Sequence, residues 1–453
     1  MQAGSFRVAV SMGILVLGVA CREGSGCGST SGGGGSTRVA KAPPVEQAAP
    51  RPAPHASPQP EETSPVVSDP IADDAELARA VESVAQGLNH FSVALHRLVS
   101  DPHANAVTSP WSITRGLLML REGARERTRA EIDRALHLTN VPERVLGALC
   151  KRTRALSSQG VTLRHAGGLF VGEGLPVQPE LATSLREVLG ESLRTVPFHD
   201  AERARLEIHR LVEEQTGGRT RELLPPGLVP SDTRMLLVDA LYFAGAWENR
   251  FDRYRTTPRP FYVDGRAPVP VPTMHGEFPM RWGRVGSAVV GELPYVGRAA
   301  AMVIVVPGTY AGLPDLFEGL NEAKLRRFVD ALRPRPEVRV RLPRFRIASP
   351  SGLTLRDPMR RLGIRQLFEP GVADLSGIAR VDPPLHLENG YHRAVVEVNE
   401  EGTEAAAETA YALSARPGRH DDDTLFADRP FLFFVRDSRT GLVLLLGHVV
   451  DPR

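Results

Sequence analysis

The stretch EEGTEAAAETAYALSARPGR, residues 400–419, admits two readings. By propensity its Ala/Glu run favours helix, because alanine is the strongest helix former and glutamate stands close behind. Taken with period two it is a strand: Thr403, Ala405, Ala407 and Thr409 fall on one face, and Glu404, Ala406, Glu408 and Ala410 on the other. The first face is small and weakly polar, suited to a place between closely packed neighbours. The second is suited to water. Arginine, proline and glycine at 416–419 then interrupt the run, and the rest of the chain must decide what such a segment is for.

The chain has 453 residues, 42% hydrophobic and 24% charged, the balance of a soluble globular protein. A net charge of +2 gives no reason to expect nucleic acid. Only three of the 55 basic residues are lysines (Lys41, Lys151 and Lys324), which reads as a genome-composition bias. Near the start, Arg7 precedes an apolar run from Val8 to Ala20. That run is shorter than the about 20 residues a bilayer span takes and has the length of a signal-peptide core. It ends at Ala20-Cys21, which resembles a bacterial lipoprotein signal with Cys21 as the lipidated mature N-terminus. Gly18 departs from that pattern, and an ordinary secretory signal is the other reading.

Residues 1–20 are thus expected to be a signal peptide. Residues 21–72, Gly/Ser-rich and then Pro/Ala-rich, cannot build a core and read as a disordered linker. By the random-coil estimate such a stalk spans roughly 40 Å. Patterned sequence from 73 to 453 contains no further linker and no internal repeat, and reads as one domain. The expected location is exported, extracellular or on the cell envelope, lipid-anchored through Cys21. Cys150 follows an apolar run and reads as a packing thiol. No disulfide framework or metal-ligand spacing is present in the sequence.

Helices are read at ELARAVESVAQGLNHFSVALHRLVS, at PWSITRGLLMLREGA ending at Gly123, at TRAEIDRAL with Thr128 and Glu131 placed as a capping box, and at LEIHRLVEEQTGG. Later the chain turns to strands: VRVRLPRFRI, AAAMVIVVP, FLFFVRD and GLVLLLGHVV are short apolar or alternating runs bounded by turn residues. Helices early and strands late argue for an α+β domain.

In this order the elements resemble the serpin family of serine protease inhibitors. NAVTSPWSITRGLLMLREGARERTRAEI, LLVDALYFAGAWENRF, ELPYVGRAAAMVIVVP, LGIRQLFEPGVADLSGI, HRAVVEVNEEGTEAAAETA and FADRPFLFFVRDSRTGLVLLLGHVVDP each look like a family segment in its expected place. The resemblance implies a large central, mostly antiparallel sheet plus two smaller sheets. Eight or nine helices surround them, and a reactive loop is exposed. It implies no catalytic activity and no cofactor. The partner is a target protease of the serine class, with the cysteine class as the alternative, that attacks the loop and forms an acyl-enzyme. The cut loop then inserts into the sheet, strand addition of which serpin loop insertion is a standing example. A monomer is expected, with membrane contact only through the lipid anchor. The runner-up is a non-inhibitory serpin-fold binding protein. A hydrolase is the third class, and no Gly-x-Ser-x-Gly, His-Glu-x-x-His or phosphate loop supports it.

Under the resemblance, Glu400, Glu401 and Gly402 form the hinge of the inserting loop, which continues through Thr403, Glu404, Ala405, Ala406, Ala407, Glu408 and Thr409. No proline or charge lies on its inward face. Counting from the hinge places the bait at Arg416, before Pro417; counting back from RPFLFF places it at Arg419, before His420. Arg419 is favoured, giving an arginine-specific target; an elastase-like cut at Ala415-Arg416 is the third option. The family pattern gathers Ser109, Ser112 and His392 beneath the sheet, with Asp239 in place of the usual asparagine. A carboxylate beside His392 is expected to favour the imidazolium, closing the sheet while the ring is protonated and releasing it as pH rises. Arg344 matches an ion-pair partner for Glu400, and Trp247 should cover the top of the sheet. Gly167 and Arg210 depart from the family's asparagine and tryptophan. Lys151, Arg152 and Arg154 read as a solvated helix face rather than a polyanion site, and the acids after His420 as solvated charge.

Overall fold

The computed structural model describes residues 74–453 except 191–192, 217–223, 264, 266, 350–352 and 404–422. Nine α-helices and two sheets make up the described residues. The first helix, Ala75–Val99, starts at Asp74, whose side chain accepts from the amides of Glu76 and Leu77. Its buried residues Val81, Ala85, Leu88, Phe91 and Leu95 recur at the helical period and face the core. Helix Pro110–Gly123 begins with proline at its first position behind the cap Ser109, and every one of its residues is buried.

Helix Glu126–Ala135 differs from its sequence reading. Its N-cap is Arg125, with no side-chain cap bond. Thr128 and Glu131 lie inside the helix and serve the opposite wall of the core. Glu131 accepts from the amides of Arg365 and Gln366, and Thr128 accepts from the amide of Asp374. The part-buried amides of that later loop claim the side chains that sequence spacing assigns to the cap.

The nine-stranded sheet holds the C-terminal hairpin. Strands Phe431–Asp437 and Val443–Val449 are buried at every residue, as strands covered on both faces are. The two smaller sheets are joined into one path by strand Val269–Val285. It pairs first with Thr257–Phe261 and Arg333–Pro343, then with Ala288–Pro294. Its register shifts between Phe278 and Met280, where Pro279 has no amide to offer.

The seven-stranded sheet runs in the order Phe345–Ala348, Gly390–Val398, Gly402–Thr403, Met235–Ala246, Val161–Gly172, Arg194–Val196, with Leu353–Thr354 added on Gly390–Val398. Most of its pairings are antiparallel. The exception that matters is in the middle: Gly390–Val398 and Met235–Ala246 run parallel and pair directly from Gly390↔Leu237 to Ala394↔Leu241. Past that point Gly402–Thr403 lies between them.

Candidate functional site

The two parallel walls and the short segment between them form the site. After Val398 the chain reverses in a tight turn: the Asn399 amide donates to the Gly402 carbonyl at 2.9 Å, and Asn399 Oδ1 accepts from the Glu401 amide at 3.0 Å. Thr403 then pairs with Val398 on one side and Gly245 on the other, while Gly402 pairs with Ala246. Gly402 takes φ +154°, and a Cβ there would meet the Gly245 carbonyl oxygen at 2.0 Å. Only glycine fits.

Thr403 is fully buried, and its hydroxyl shares a 2.7 Å hydrogen bond with the Tyr295 phenol. Burial pushes that phenol up, and the bond to Thr403 offsets only part of the rise, so it stays protonated. Tyr295 stacks on Trp247 with ring centroids 4.8 Å apart, and the Trp247 indole N–H donates to the Asn399 carbonyl at 2.9 Å. The amides of Trp247 and Phe251 donate to the carbonyls of Glu401 and Glu400 at 2.8 and 3.0 Å.

Glu400 is 3% exposed. Arg344 Nε donates to its carboxylate at 2.7 Å, and the Thr256 hydroxyl donates to the same oxygen. Burial alone would raise this carboxyl; the bonds from Arg344 and Thr256 outweigh it and hold the group below its ordinary value. Glu401 is held from the opposite strand end by Arg250 at 3.2 Å and Arg253 at 3.0 Å.

Lower down, the amide of Ser109 donates to His392 Nε2 at 3.1 Å, and the Ser109 hydroxyl donates to the Leu444 carbonyl at 3.0 Å. Ser112 is buried beside them, its amide 3.4 Å from Ser109 Oγ. His392 sits opposite Asp239 in the parallel pairing; the Asp239 side chain lies outside the described residues. An imidazolium has a proton on both nitrogens and cannot accept at Nε2. The arrangement therefore belongs to a ring with Nε2 bare, a departure from the charged histidine expected from sequence.

The hinge, sheet-top and lower-sheet residues thus come together along one line. Glu404, Ala405, Ala406, Ala407, Glu408 and Thr409, the bait candidates Arg416, Pro417, Arg419 and His420, and Cys21 all lie outside the described residues. Asn399, Tyr295, Thr256, Arg250 and Arg253 were missed by sequence reasoning. For Asn399 a signal existed, since an asparagine three residues before a glycine is an Asx-turn pattern; the others are distant in sequence. Of the basic residues read as a solvated helix face, Lys151 and Arg154 are exposed and only Arg152 departs from the reading. Arg152 is buried and bidentate with Asp437 at 2.9 and 3.1 Å, and Arg154 bonds the Leu189 carbonyl. Asp423 pairs with Arg335 at 3.2 Å rather than standing free in solvent.

The seven-stranded sheet thus seats the short strand Gly402–Thr403 between two parallel strands that pair directly further down. The family model for Serpin (serine protease inhibitor) matches residues 86–452. The chain is 34% identical over 387 residues to the bovine (Bos taurus) protein named leukocyte elastase inhibitor, covering 82% of this chain and 100% of that one. Among solved structures it is similar to Serpin48 of the insect Tenebrio molitor (28% identity, TM-score 0.71, covering 84% of this chain and 100% of that one). It is also similar to human thyroxine-binding globulin (26%, TM-score 0.73, covering 82% and 99%). The chain belongs to the serpin family.

Proposed function

We propose that the protein inhibits serine-type endopeptidases by covalent trapping, in which the cut loop inserts between the two wall strands. One observation carries this reading: Gly402–Thr403 lies between Val398 and Gly245–Ala246, hydrogen-bonded in the geometry a full inserted strand would extend. The alanines at 405 and 407, which share the Thr403 face at period two, are small enough to support this reading. The target is an arginine-specific enzyme cutting after Arg419, with Arg416 as the alternative bait, and the inhibitor acts as a monomer. Residues 1–20 export the chain, and Cys21 anchors it by lipid to the cell envelope; replacing Cys21 by alanine is expected to release it from the membrane fraction.

The test is to mix the purified protein with trypsin and with subtilisin. An SDS-stable complex is the expected result, and the new N-terminus locates the bait bond. Clean loop cleavage without a complex would instead favour a binding role, the reading that similarity to thyroxine-binding globulin keeps in play.

A further inference from the structure

Away from the walls, two histidines face each other inside the molecule. His96, near the end of helix Ala75–Val99, is fully buried, and so is His448 on strand Val443–Val449. His96 Nε2 lies 3.2 Å from His448 Nδ1, His448 Nε2 lies 2.9 Å from the Asp101 carbonyl, and His96 Nδ1 lies 3.0 Å from Thr108 Oγ1. A carbonyl only accepts, so His448 carries its hydrogen on Nε2 and its Nδ1 is bare. His96 must then donate from Nε2, which leaves its Nδ1 to accept from the hydroxyl of Thr108, or of Ser100 at 3.3 Å. The partners fix both neutral tautomers.

One added proton fits. His448 then donates from Nδ1 to His96 Nε2, and His96 donates from Nδ1 to Thr108 Oγ1, whose own hydrogen turns to the Leu446 carbonyl at 3.3 Å. A second proton would set two N–H groups face to face. The added charge has no carboxylate bonded to it. Asp101 offers its backbone carbonyl, while its own carboxylate accepts from the His103 amide. Helix Leu313–Glu318 presents only the edge of Phe317 to both rings. Arg97 turns away to the Leu320 carbonyl. Burial and the neighbouring His448 hold His96 well below its ordinary value; burial likewise lowers His448, against the pull of Asp101.

Thr108 is followed by Ser109, the residue whose amide holds His392 on the wall strand and whose hydroxyl holds Leu444. We propose that the His96–His448 pair is an acid-sensitive clasp on sheet opening. Proton uptake reverses the hydrogen bond at Thr108 and loosens, through Ser109, the grip on the wall strand at His392. The link to opening rests on the trapping reading above; the proton site itself does not.

The sign follows from linkage. Both histidines have lowered folded values, so the unfolded chain binds more protons below about pH 6.5 and the native state weakens as pH falls from there. Two measurements compare wild type with the double variant His96→Gln, His448→Gln. Between pH 7.5 and 5.5 the wild-type unfolding constant should rise about 10- to 100-fold more than the variant's. The synthetic peptide EAAAETAYALSA (residues 404–415) should insert faster in acid into wild type only. Equal pH dependence in both proteins would overturn the proposal. If the peptide enters neither protein, trapping fails, and the clasp is judged on unfolding alone. Should the variant not fold, nitrogen NMR of wild type decides: bare Nδ1 on both rings at pH 7.5, with both Nδ1 atoms gaining hydrogen together only in stronger acid than an ordinary histidine needs, is expected, and rings that titrate near the ordinary 6.5, or that stay unchanged until the protein unfolds, refute the clasp.

Discussion

At the scale of single residues, the hinge is held by groups whose bonds are lost one at a time. Removing the Arg344 side chain leaves the buried Glu400 carboxylate short of its charged donor. Arg344 is itself half-exposed, so water replaces part of the loss, and Arg344→Ala should weaken the native state by about 1–2 kcal/mol. The shift of the urea midpoint measures it. Because the Glu400 carboxyl is held below its ordinary 4.5, its contribution is complete above that pH and disappears as pH falls through the folded value. Glu400→Gln should therefore abolish any acid loosening of the hinge seen between pH 5 and 3. Unchanged acid loosening in that variant would place its source elsewhere. Tyr295→Phe leaves the buried Thr403 hydroxyl without its partner and should cost about 1 kcal/mol, read as faster amide exchange at Gly402 and Thr403. These partners could not be read from the chain in advance, since Tyr295 and Thr403 are over a hundred residues apart. Charge pattern misled in the same way at Arg152, whose helical neighbours suggested solvent and whose partner, Asp437, is a strand away across the core.

At the scale of elements, one turn sets the short strand Gly402–Thr403 in the sheet. Gly402→Ala would drive a Cβ into the Gly245 carbonyl, and the positive φ adds strain of its own. The short strand should leave its slot, raising amide exchange at Thr403 and Trp247 at least 10-fold while leaving the lower pairing at Ala394 and Leu241 protected. Protection retained at Thr403 would show that the turn tolerates a side chain. Much at this scale was legible. Helices Ala75–Val99 and Pro110–Gly123 and the all-apolar strands of the C-terminal hairpin follow from period, caps and turn residues. The period-two face that holds Thr403 is legible too. What stayed hidden was competition: Thr128 and Glu131 have the spacing of a cap, but a loop from another part of the chain uses them instead. Local spacing says what a side chain can bond; packing decides which of the possible partners is nearest.

At the scale of the whole molecule, the walls are paired along their lower half and parted above it, and the segment that follows the second wall lies in the opening. A sheet in this state gains both pairing and burial if more of that segment enters, because every added residue meets a strand on each side. On the proposed mechanism the intact chain restrains this, since the segment must also lead to strand Thr424–Phe426, which pairs with Arg333–Pro343 in the other sheet. Under the same proposal, cutting between the two removes the restraint. The most direct measurement is thermal unfolding of the protein before and after a single cut in residues 410–422, with the strand content of the cut form followed alongside. A melting temperature that climbs past ~90 °C after cutting, with one added central strand, is the predicted result. A cut protein that melts where the intact one does, with its sheet unchanged, would contradict insertion as the basis of its action.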